Sequence, residues 1–351
     1  MSNNFQLNRS LYFWSIFVVA VMNTVILNAQ RMNGMSFSGP RDSTLTLEMF
    51  ESIKISNANW VALIPQGKLD RNTLMILPDE GNDWWCNTIE ANTKGIRLAK
   101  QAGLKVFVKP HVVLSKLEEV VTDKTRGAEW RGDLSLRKEK DWRILELSYE
   151  KYVLKLAKIA QEEKVDLFSV GTELKKFAMQ RPDFWKQLIQ KVKNVYNGPL
   201  TYAANWDEYH KITFWEDLDY IGVDTYFPVN RTKTPDVKKT IKNWKSIQKE
   251  LKQLSKAENR QILLTEFGYR NVSYAGRRPW THDKGEDIPT NNQTQVNLYQ
   301  AFFETFWEKD WVAGGFSWKW FAHPKSGKDT SFSVQGKPAL AVLQKWYAQP
   351  K

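Results

Sequence analysis

The chain has 351 residues, of which 42% are hydrophobic and 26% charged, so it can bury a sizeable core and is not of the disordered class. Its formal net charge of +12 would suit an anionic partner such as nucleic acid or a membrane surface. The lysines fall among acids in stretches such as Val237–Lys256, however, which favours a dispersed helix surface and no nucleic-acid partner. The single cysteine, Cys86, excludes an intrachain disulfide and a thiolate metal cluster.

The amino-terminal segment is typical of an export signal. Arg9 precedes an apolar stretch from Leu11 to Leu27, and Ala29 lies in a small-residue cleavage context. An uncleaved membrane anchor is the alternative, although the stretch is slightly short for a span and carries polar residues near its end. We therefore expect residues 1–30 to be a signal peptide and residues 31–351 to be one catalytic domain. The protein would then be periplasmic, at the cell surface or extracellular.

Eight apolar runs in the remaining chain predict short strands. In chain order they are Gly34–Ser38, Trp60–Ile64, Lys105–Lys109, Leu167–Glu173, Leu200–Asn205, Tyr220–Tyr226, Ile262–Glu266 and Gly314–Trp318. Helical periodicity separates or follows them at Leu45–Ser56, Thr88–Gln101, Leu145–Glu162, Phe184–Tyr196, a short segment near Trp206–Asp217, Val237–Ser255, Gln293–Glu308 and Ala339–Trp346. This alternation favours parallel pairing through crossover helices.

The number of strands decides between two α/β architectures. A doubly wound open sheet would also alternate strand and helix, but eight strands favour closure into a single-domain (β/α)8 TIM barrel. Ser38-Gly39-Pro40 after the first strand lacks the spaced glycines of a dinucleotide site. Long inserts, Val112–Ile144 and Tyr269–Asn291, follow the third and seventh strands at the rim where binding loops belong.

Two of the predicted strands end in an isolated glutamate. Glu173 ends the fourth strand and Glu266 the seventh, so both side chains are expected in one pocket at the carboxyl rim. Glycoside hydrolysis needs one carboxylic acid to protonate the leaving oxygen and a second carboxylate as nucleophile or base. A plain rim carboxylate paired with a lysine or arginine is the alternative for each glutamate. Two of them at these strands favour the catalytic interpretation.

Aromatic and polar residues at the same rim are candidates for sugar binding. Among the 16 tryptophans, Trp60, Trp244 and Trp307 are interpreted as core. The subsite candidates follow strand ends and are Trp84, Trp85, Trp130, Trp206 and Trp280. Asn205, Lys109 and His111 could bind hydroxyl groups or serve only as structural hydrogen-bonding residues. The four histidines show no metal-binding spacing, so neither a metal nor another cofactor is expected.

From Asn33 to Tyr347 the chain resembles glycoside hydrolase family 113, a family of β-mannanases in clan A. Glu173, Glu266, Tyr226 and Trp318 match the clan pattern at strands four, seven, six and eight. The segments that carry the resemblance are Gly34–Gly39, Ala58–Leu63, Lys109–His111, Val170–Leu174, Ala203–Trp206, Tyr220–Pro228, Thr265–Tyr269 and Phe316–Trp318.

The resemblance implies a role for each of these residues. Glu173 would be the general acid/base and Glu266 the nucleophile of a retaining double displacement, with their carboxyl groups roughly 5–5.5 Å apart. Tyr226 would hold the nucleophile through its hydroxyl, its alternative being a rim aromatic that fills the barrel mouth. Trp318 would form the platform beneath the cleaved sugar.

Two departures from the wider clan favour the narrower family. Thr172 stands where clan members commonly carry an asparagine, and Ile64-Pro65-Gln66 at the second strand lacks the usual arginine near the nucleophile. The sequence therefore predicts a monomeric, retaining endo-β-1,4-mannanase that acts on mannan or manno-oligosaccharides. The alternatives are another clan A β-glycanase, cutting glucan or xylan, and a non-catalytic polysaccharide-binding barrel.

Overall fold

The computed structural model describes residues 30–78, 84–282, 288–324 and 329–349, and the predicted leader lies outside them apart from residue 30. Eight parallel strands close into a barrel in which neighbours along the chain are neighbours in space, and the last strand pairs with the first. The strands are β1 Met32–Ser38, β2 Trp60–Leu63, β3 Lys105–Val108, β4 Leu167–Thr172, β5 Leu200–Asn205, β6 Tyr220–Asp224, β7 Gln261–Phe267 and β8 Val312–Phe321. The predicted (β/α)8 barrel is confirmed.

The helices alternate with the strands as the periodicity predicts, with local differences. They are α1 Leu47–Glu51, α2 Ile89–Gln101, α3 Glu139–Glu162, α4 Lys175–Gln180, α5 Pro182–Lys193, α6 Val237–Glu258, α7 Asn292–Phe306 and α8 Ala339–Tyr347. The short helix predicted after β5 is instead a pair of 3₁₀ turns, Tyr209–Lys211 and Trp215–Asp217. None of the helices in these four ranges is long and apolar enough to cross a bilayer.

A small three-stranded sheet beside the barrel was not predicted. Its strands are Gln66–Leu69, Ile76–Pro78 and His111–Leu114, with Gln66–Leu69 in the middle. Pro65 lies between β2 and this small sheet, and Pro110 lies between β3 and the sheet. Proline interrupts a strand because it has no backbone N–H to donate to the neighbouring strand. The pairing nevertheless continues past both prolines, since the His111 N–H donates to the Pro65 carbonyl at 2.9 Å. His111 is thereby fixed on extended backbone.

An apolar layer fills the barrel interior below the rim. Trp60, Phe107 and Phe316 pack there, with ring centroids 6.2 Å apart for Trp60 and Phe316 and 4.9 Å apart for Phe107 and Phe316. Because side chains alternate along a strand, the next inward positions are Lys109 after Phe107 and Trp318 after Phe316. The apolar layer is therefore the floor of the polar site above it. The tryptophans predicted as core, Trp60, Trp244 and Trp307, are all buried.

Candidate active site

Glu173 follows the last residue of β4 in an unusual backbone conformation. Its φ of 54° is in the left-handed region, which costs a non-glycine residue about 1 kcal/mol or more, and such strained residues cluster at active sites. The turn is held on both sides, because the Glu173 N–H donates to the Ala203 carbonyl at 2.8 Å and the Leu174 N–H donates to the Tyr202 hydroxyl at 2.8 Å. The Tyr202 hydroxyl in turn donates to the buried Glu208 carboxyl at 3.0 Å.

The Glu173 side chain lies in the cleft with one charged partner. Arg131 Nη2 donates to Glu173 Oε2 at 2.7 Å, and the Glu173 side chain is only 11% exposed. Burial raises the pKa of Glu173, the positive charge of Arg131 opposes that rise, and the negative charge of Glu266 adds to it. The net direction is upward, so Glu173 retains a proton to higher pH than an exposed glutamate does.

Glu266, on β7, is held from two sides. The Tyr226 hydroxyl donates to Oε2 at 2.7 Å, and Lys109 Nζ donates to Oε1. Lys109 is fully buried and also lies 3.9 Å from Asp224 Oδ1, so one ammonium group faces two carboxylates. In both contacts a Glu266 carboxyl oxygen is the hydrogen-bond acceptor. This arrangement fixes the Glu266 side chain with one oxygen in each contact.

Glu173 contacts Arg131 and Glu266 contacts Lys109. Each glutamate therefore has a cationic partner, as expected if it were a plain rim carboxylate without a catalytic role. The two carboxyl groups are nevertheless not independent rim residues, because the charge of Glu266 raises the pKa of Glu173. Both are buried in one cluster at the carboxyl ends of β4 and β7. Chemically, the cluster can hold one carboxyl protonated and the other ionised, which is what acid/base and nucleophile require.

Asp224 is a third buried carboxyl group in this cluster, and sequence reasoning did not single it out. Its Oδ1 accepts from the Thr265 hydroxyl at 2.7 Å. Burial raises its pKa well above the usual value, although the nearby Lys109 acts in the opposite direction. Asp224 ends β6, two residues before Tyr226, and its place at a strand end was the only signal available in the sequence.

His111 and Trp318 line the cleft next to Glu266. Their rings are stacked, with centroids 6.3 Å apart and planes 11° apart. His111 Nε2 is 3.7 Å from Glu266 Oε1 and has no hydrogen-bond partner within the described residues. Burial, together with the positive charges of Arg131 and Lys109, lowers the pKa of His111 well below its usual value. The lowered pKa favours a neutral imidazole for His111 beside Glu266.

The two departures from the clan pattern have structural counterparts. Thr172, at the position of the usual asparagine, donates its hydroxyl to the Pro110 carbonyl at 2.9 Å and is buried. Its side chain is therefore bonded to the segment between β3 and the small sheet. The second strand lacks an arginine, and the cation beside Glu266 comes instead from Lys109 after β3.

The contacts of the other predicted binding residues are with residues outside this cluster. Asn205 is half-buried and donates to Asp207 Oδ1 at 3.1 Å. Trp206 and Trp280 stack on each other, with centroids 5.2 Å and planes 19° apart, and Trp280 is 39% exposed. Trp85 is half-buried against the core, and its neighbour Trp84 is the one that lines a recess beside Trp318. Roles for these residues in sugar binding remain predictions.

Arg131 and Glu208 are two further functional candidates, besides Asp224, that sequence reasoning missed. Arg131 lies in the long insert after β3, which carries no periodicity that would place it beside Glu173. Glu208 is buried, and burial, followed by the charge of Glu173, raises its pKa to about 8. Only the three-dimensional arrangement brings these side chains to the site. No cluster of three or more potential metal ligands exists in the part of the chain that the structure describes.

No curated protein sequence matches this chain. Among solved structures it is similar to a family 113 β-mannanase from Alicyclobacillus acidocaldarius, at 22% identity and a TM-score of 0.76, over 92% of this chain and 98% of that one. A second structure of a family 113 β-1,4-mannanase gives 22% identity and a TM-score of 0.74, over 91% and 99%.

A more distant similarity is to β-glucuronidase from Ruminococcus gnavus, at 14% identity and a TM-score of 0.62, over 92% of this chain and 50% of that one. At these identities the structural matches establish the barrel fold only. The sequence model of Glycoside Hydrolase Family 113, by contrast, matches residues 37–337, which is most of the chain. The chain is therefore a glycoside hydrolase and belongs to family 113.

Proposed function

We propose that this protein is a retaining endo-β-1,4-mannanase. The observation that supports it best is the single buried cluster in which Glu173 has a raised pKa while Glu266 is held by Lys109 and Tyr226. Such a pair supplies the protonated and ionised carboxyl groups of a double displacement. The choice of mannan follows the family, whose structurally similar members are described as β-mannanases.

In the first step, Glu266 attacks the anomeric carbon while Glu173 gives its proton to the leaving glycosidic oxygen. The bond from the anomeric carbon to Glu266 forms as the bond to the leaving oxygen breaks. The Tyr226 hydroxyl and the Lys109 ammonium keep the attacking carboxylate oriented. In the second step, Glu173, now ionised, takes a proton from water, and the resulting hydroxide displaces Glu266 with net retention.

The substrate is tested with β-mannan, glucomannan, cellulose and xylan, assayed for new reducing ends. We expect hydrolysis of mannan and glucomannan, with products of mixed length as endo action requires. The Glu266→Gln enzyme, purified identically, is the control for contaminating activity. Cleavage restricted to cellulose or xylan would favour another β-glycanase of the clan, and binding without any cleavage would favour the polysaccharide-binding barrel.

Replacement of Trp318 by alanine should lower both turnover and affinity. An aromatic face packs against the axial C–H groups of a pyranose, and Trp318 lies at the cleft with His111 stacked beside it. The expected cost is on the order of 2–4 kcal/mol of transition-state stabilisation, or about 30- to 1,000-fold in kcat/KM. Steady-state kinetics on a manno-oligosaccharide measure it, with the core variant Trp307→Phe as a control for stability. Unchanged kinetics in a folded Trp318→Ala enzyme would show that the sugar platform lies elsewhere.

Replacement of Arg131 by methionine should move the basic limb of the pH profile to higher pH. The Arg131 charge lowers the pKa of Glu173, and the acid must be protonated in the first step, so loss of the charge keeps the proton on Glu173 to higher pH. The profile of kcat/KM reports this group in the free enzyme. Lys191→Met, which removes a surface partner of Glu150, is the matched control. If the basic limb of the Arg131→Met profile stays in place or moves to lower pH, Arg131 does not lower the pKa of Glu173 and the prediction is wrong.

We further propose that the enzyme is exported as a monomer with its leader removed near Ala29 or Gln30. The apolar run before this point is interrupted by polar residues, as in a cleavable signal. Intact mass of protein recovered from an exporting cell should lack the leader. A membrane-bound product that keeps residues 1–27 would indicate an anchor instead.

A further inference from the structure

The Lys109 ammonium group lies between two carboxyl groups, and only one of them has a part in the proposed reaction. Lys109 Nζ donates to Glu266 Oε1 and lies 3.9 Å from Asp224 Oδ1. The side chains of Lys109 and Asp224 are both fully buried. A buried charge without a partner of opposite charge is costly, so this ammonium group needs a carboxylate at every step of the reaction.

The covalent intermediate of the double displacement removes one of these two partners. When a Glu266 oxygen bonds the anomeric carbon, the carboxylate becomes a neutral ester and Lys109 loses the negative charge that it contacts. Glu173 is ionised at that stage, but its Oε2 is already paired with Arg131 Nη2 at 2.7 Å. Asp224 is the other carboxyl group beside Lys109.

Asp224 is held where it can take over this contact. Its Oδ1 accepts from the Thr265 hydroxyl at 2.7 Å, and its Oδ2 is buried without a hydrogen-bond partner among the described residues. A movement of about 1 Å would bring the Lys109 ammonium within ordinary hydrogen-bond distance of Asp224. Asp224 and Glu266 are register partners on β6 and β7, so the exchange needs no rearrangement of the barrel.

We propose that Asp224 is a positioning residue that pairs with the Lys109 ammonium while Glu266 carries the sugar. The inference rests on the proposed function, because it concerns the covalent intermediate of that mechanism. Lys109 contacts Glu266 in the free enzyme, turns to Asp224 when the ester forms, and returns to Glu266 when water releases the sugar. Asp224 thereby stabilises the glycosyl-enzyme relative to the free enzyme.

The titration of Asp224 agrees with this exchange. In the free enzyme burial raises the pKa of Asp224 well above its usual value, Lys109 opposes that rise, and the charge of Glu266 adds to it. A protonated Asp224 leaves the ammonium group to Glu266. Esterification removes the contribution of Glu266 and keeps that of Lys109, so Asp224 gives its proton to water as the ammonium turns to it. No proton leaves Lys109 in this exchange.

The test measures how fast a trapped glycosyl-enzyme is hydrolysed in Asp224→Asn, which removes the charge and keeps the shape. A 2-deoxy-2-fluoro-β-mannosyl compound with a dinitrophenyl leaving group labels the enzyme, excess reagent is removed, and the return of activity is timed. We expect reactivation about tenfold faster than in the unmodified enzyme, because the intermediate loses about one hydrogen bond to a charged group. The rate of labelling should change far less, since Asp224 is neutral in the free enzyme.

Thr265→Val, which removes a hydrogen bond to Asp224 and keeps its charge, should also accelerate reactivation, but less. Asp183→Asn makes the same change as Asp224→Asn at an exposed position in the first turn of α5, and it should reactivate like the unmodified enzyme. A merely structural role for Asp224 would slow labelling and reactivation together.

Equal or slower reactivation of folded Asp224→Asn would overturn the inference while the double displacement stands. If Asp224→Asn does not fold, the same outcome in Thr265→Val would overturn it. An unmodified enzyme that is never labelled would show that the proposed mechanism fails, and the inference would then fail with it.

Discussion

Replacement of Glu266 by alanine should abolish hydrolysis of every glycoside, activated or not. No covalent glycosyl-enzyme can form without this carboxylate, and the expected loss in kcat is about 10⁴-fold or more. The variant also leaves the buried Lys109 ammonium and the Tyr226 hydroxyl without their acceptor. Circular dichroism and thermal unfolding must therefore accompany the kinetics, and the isosteric Glu266→Gln variant separates loss of charge from loss of packing.

Glu162→Ala, which makes the same change on an exposed turn of α3, is the matched control and should retain full activity. Azide added to Glu266→Ala should at most give an α-azido sugar, because it would attack from the face that Glu266 has left. A β-azido product from this variant would exchange the roles of the two glutamates.

Replacement of Glu173 by alanine should have a different signature. Cleavage of an unactivated mannan should fall by about 10²- to 10⁴-fold, because the leaving oxygen then departs without general-acid assistance. Release of an activated leaving group such as dinitrophenolate needs no proton, so glycosylation of Glu266 should persist and the glycosyl-enzyme should accumulate. Azide should then restore turnover and give a β-azido sugar. Equal losses on activated and unactivated substrates, without azide rescue, would contradict the acid/base assignment.

The barrel and the positions of its two glutamates could be predicted from the sequence because both depend on local patterns. Apolar runs with helical segments between them specify a closed parallel barrel once eight are counted. A residue at the end of such a strand must face the rim, so Glu173, Glu266 and Tyr226 could be placed without coordinates. The same reasoning put Lys109 and His111 at that rim, where they lie within reach of Glu266.

The partners of these residues could not be predicted, because they come from segments without periodic pattern. Arg131 reaches Glu173 from a 3₁₀ turn in a long insert, and Glu208 supports the Glu173 turn through Tyr202. The small sheet beyond Pro65 and Pro110 was missed because a proline in the sequence predicts the end of a strand. In the structure, strand pairing begins again one residue after each proline, where Gln66 pairs with His111. Tertiary contacts, and not local propensity, decide these positions.

The central claim, a double displacement through Glu266 on a β-mannoside, is tested most directly by trapping the covalent intermediate. A 2-deoxy-2-fluoro-β-mannosyl compound with a dinitrophenyl leaving group should inactivate the enzyme, because the fluorine slows release of the glycosyl-enzyme more than its formation. Mass spectrometry of the intact protein should show one added fluorosugar, and the peptide map should place it on Glu266. A label on Glu173 or on any other residue, or an enzyme that hydrolyses mannan yet never carries a label, would contradict the account.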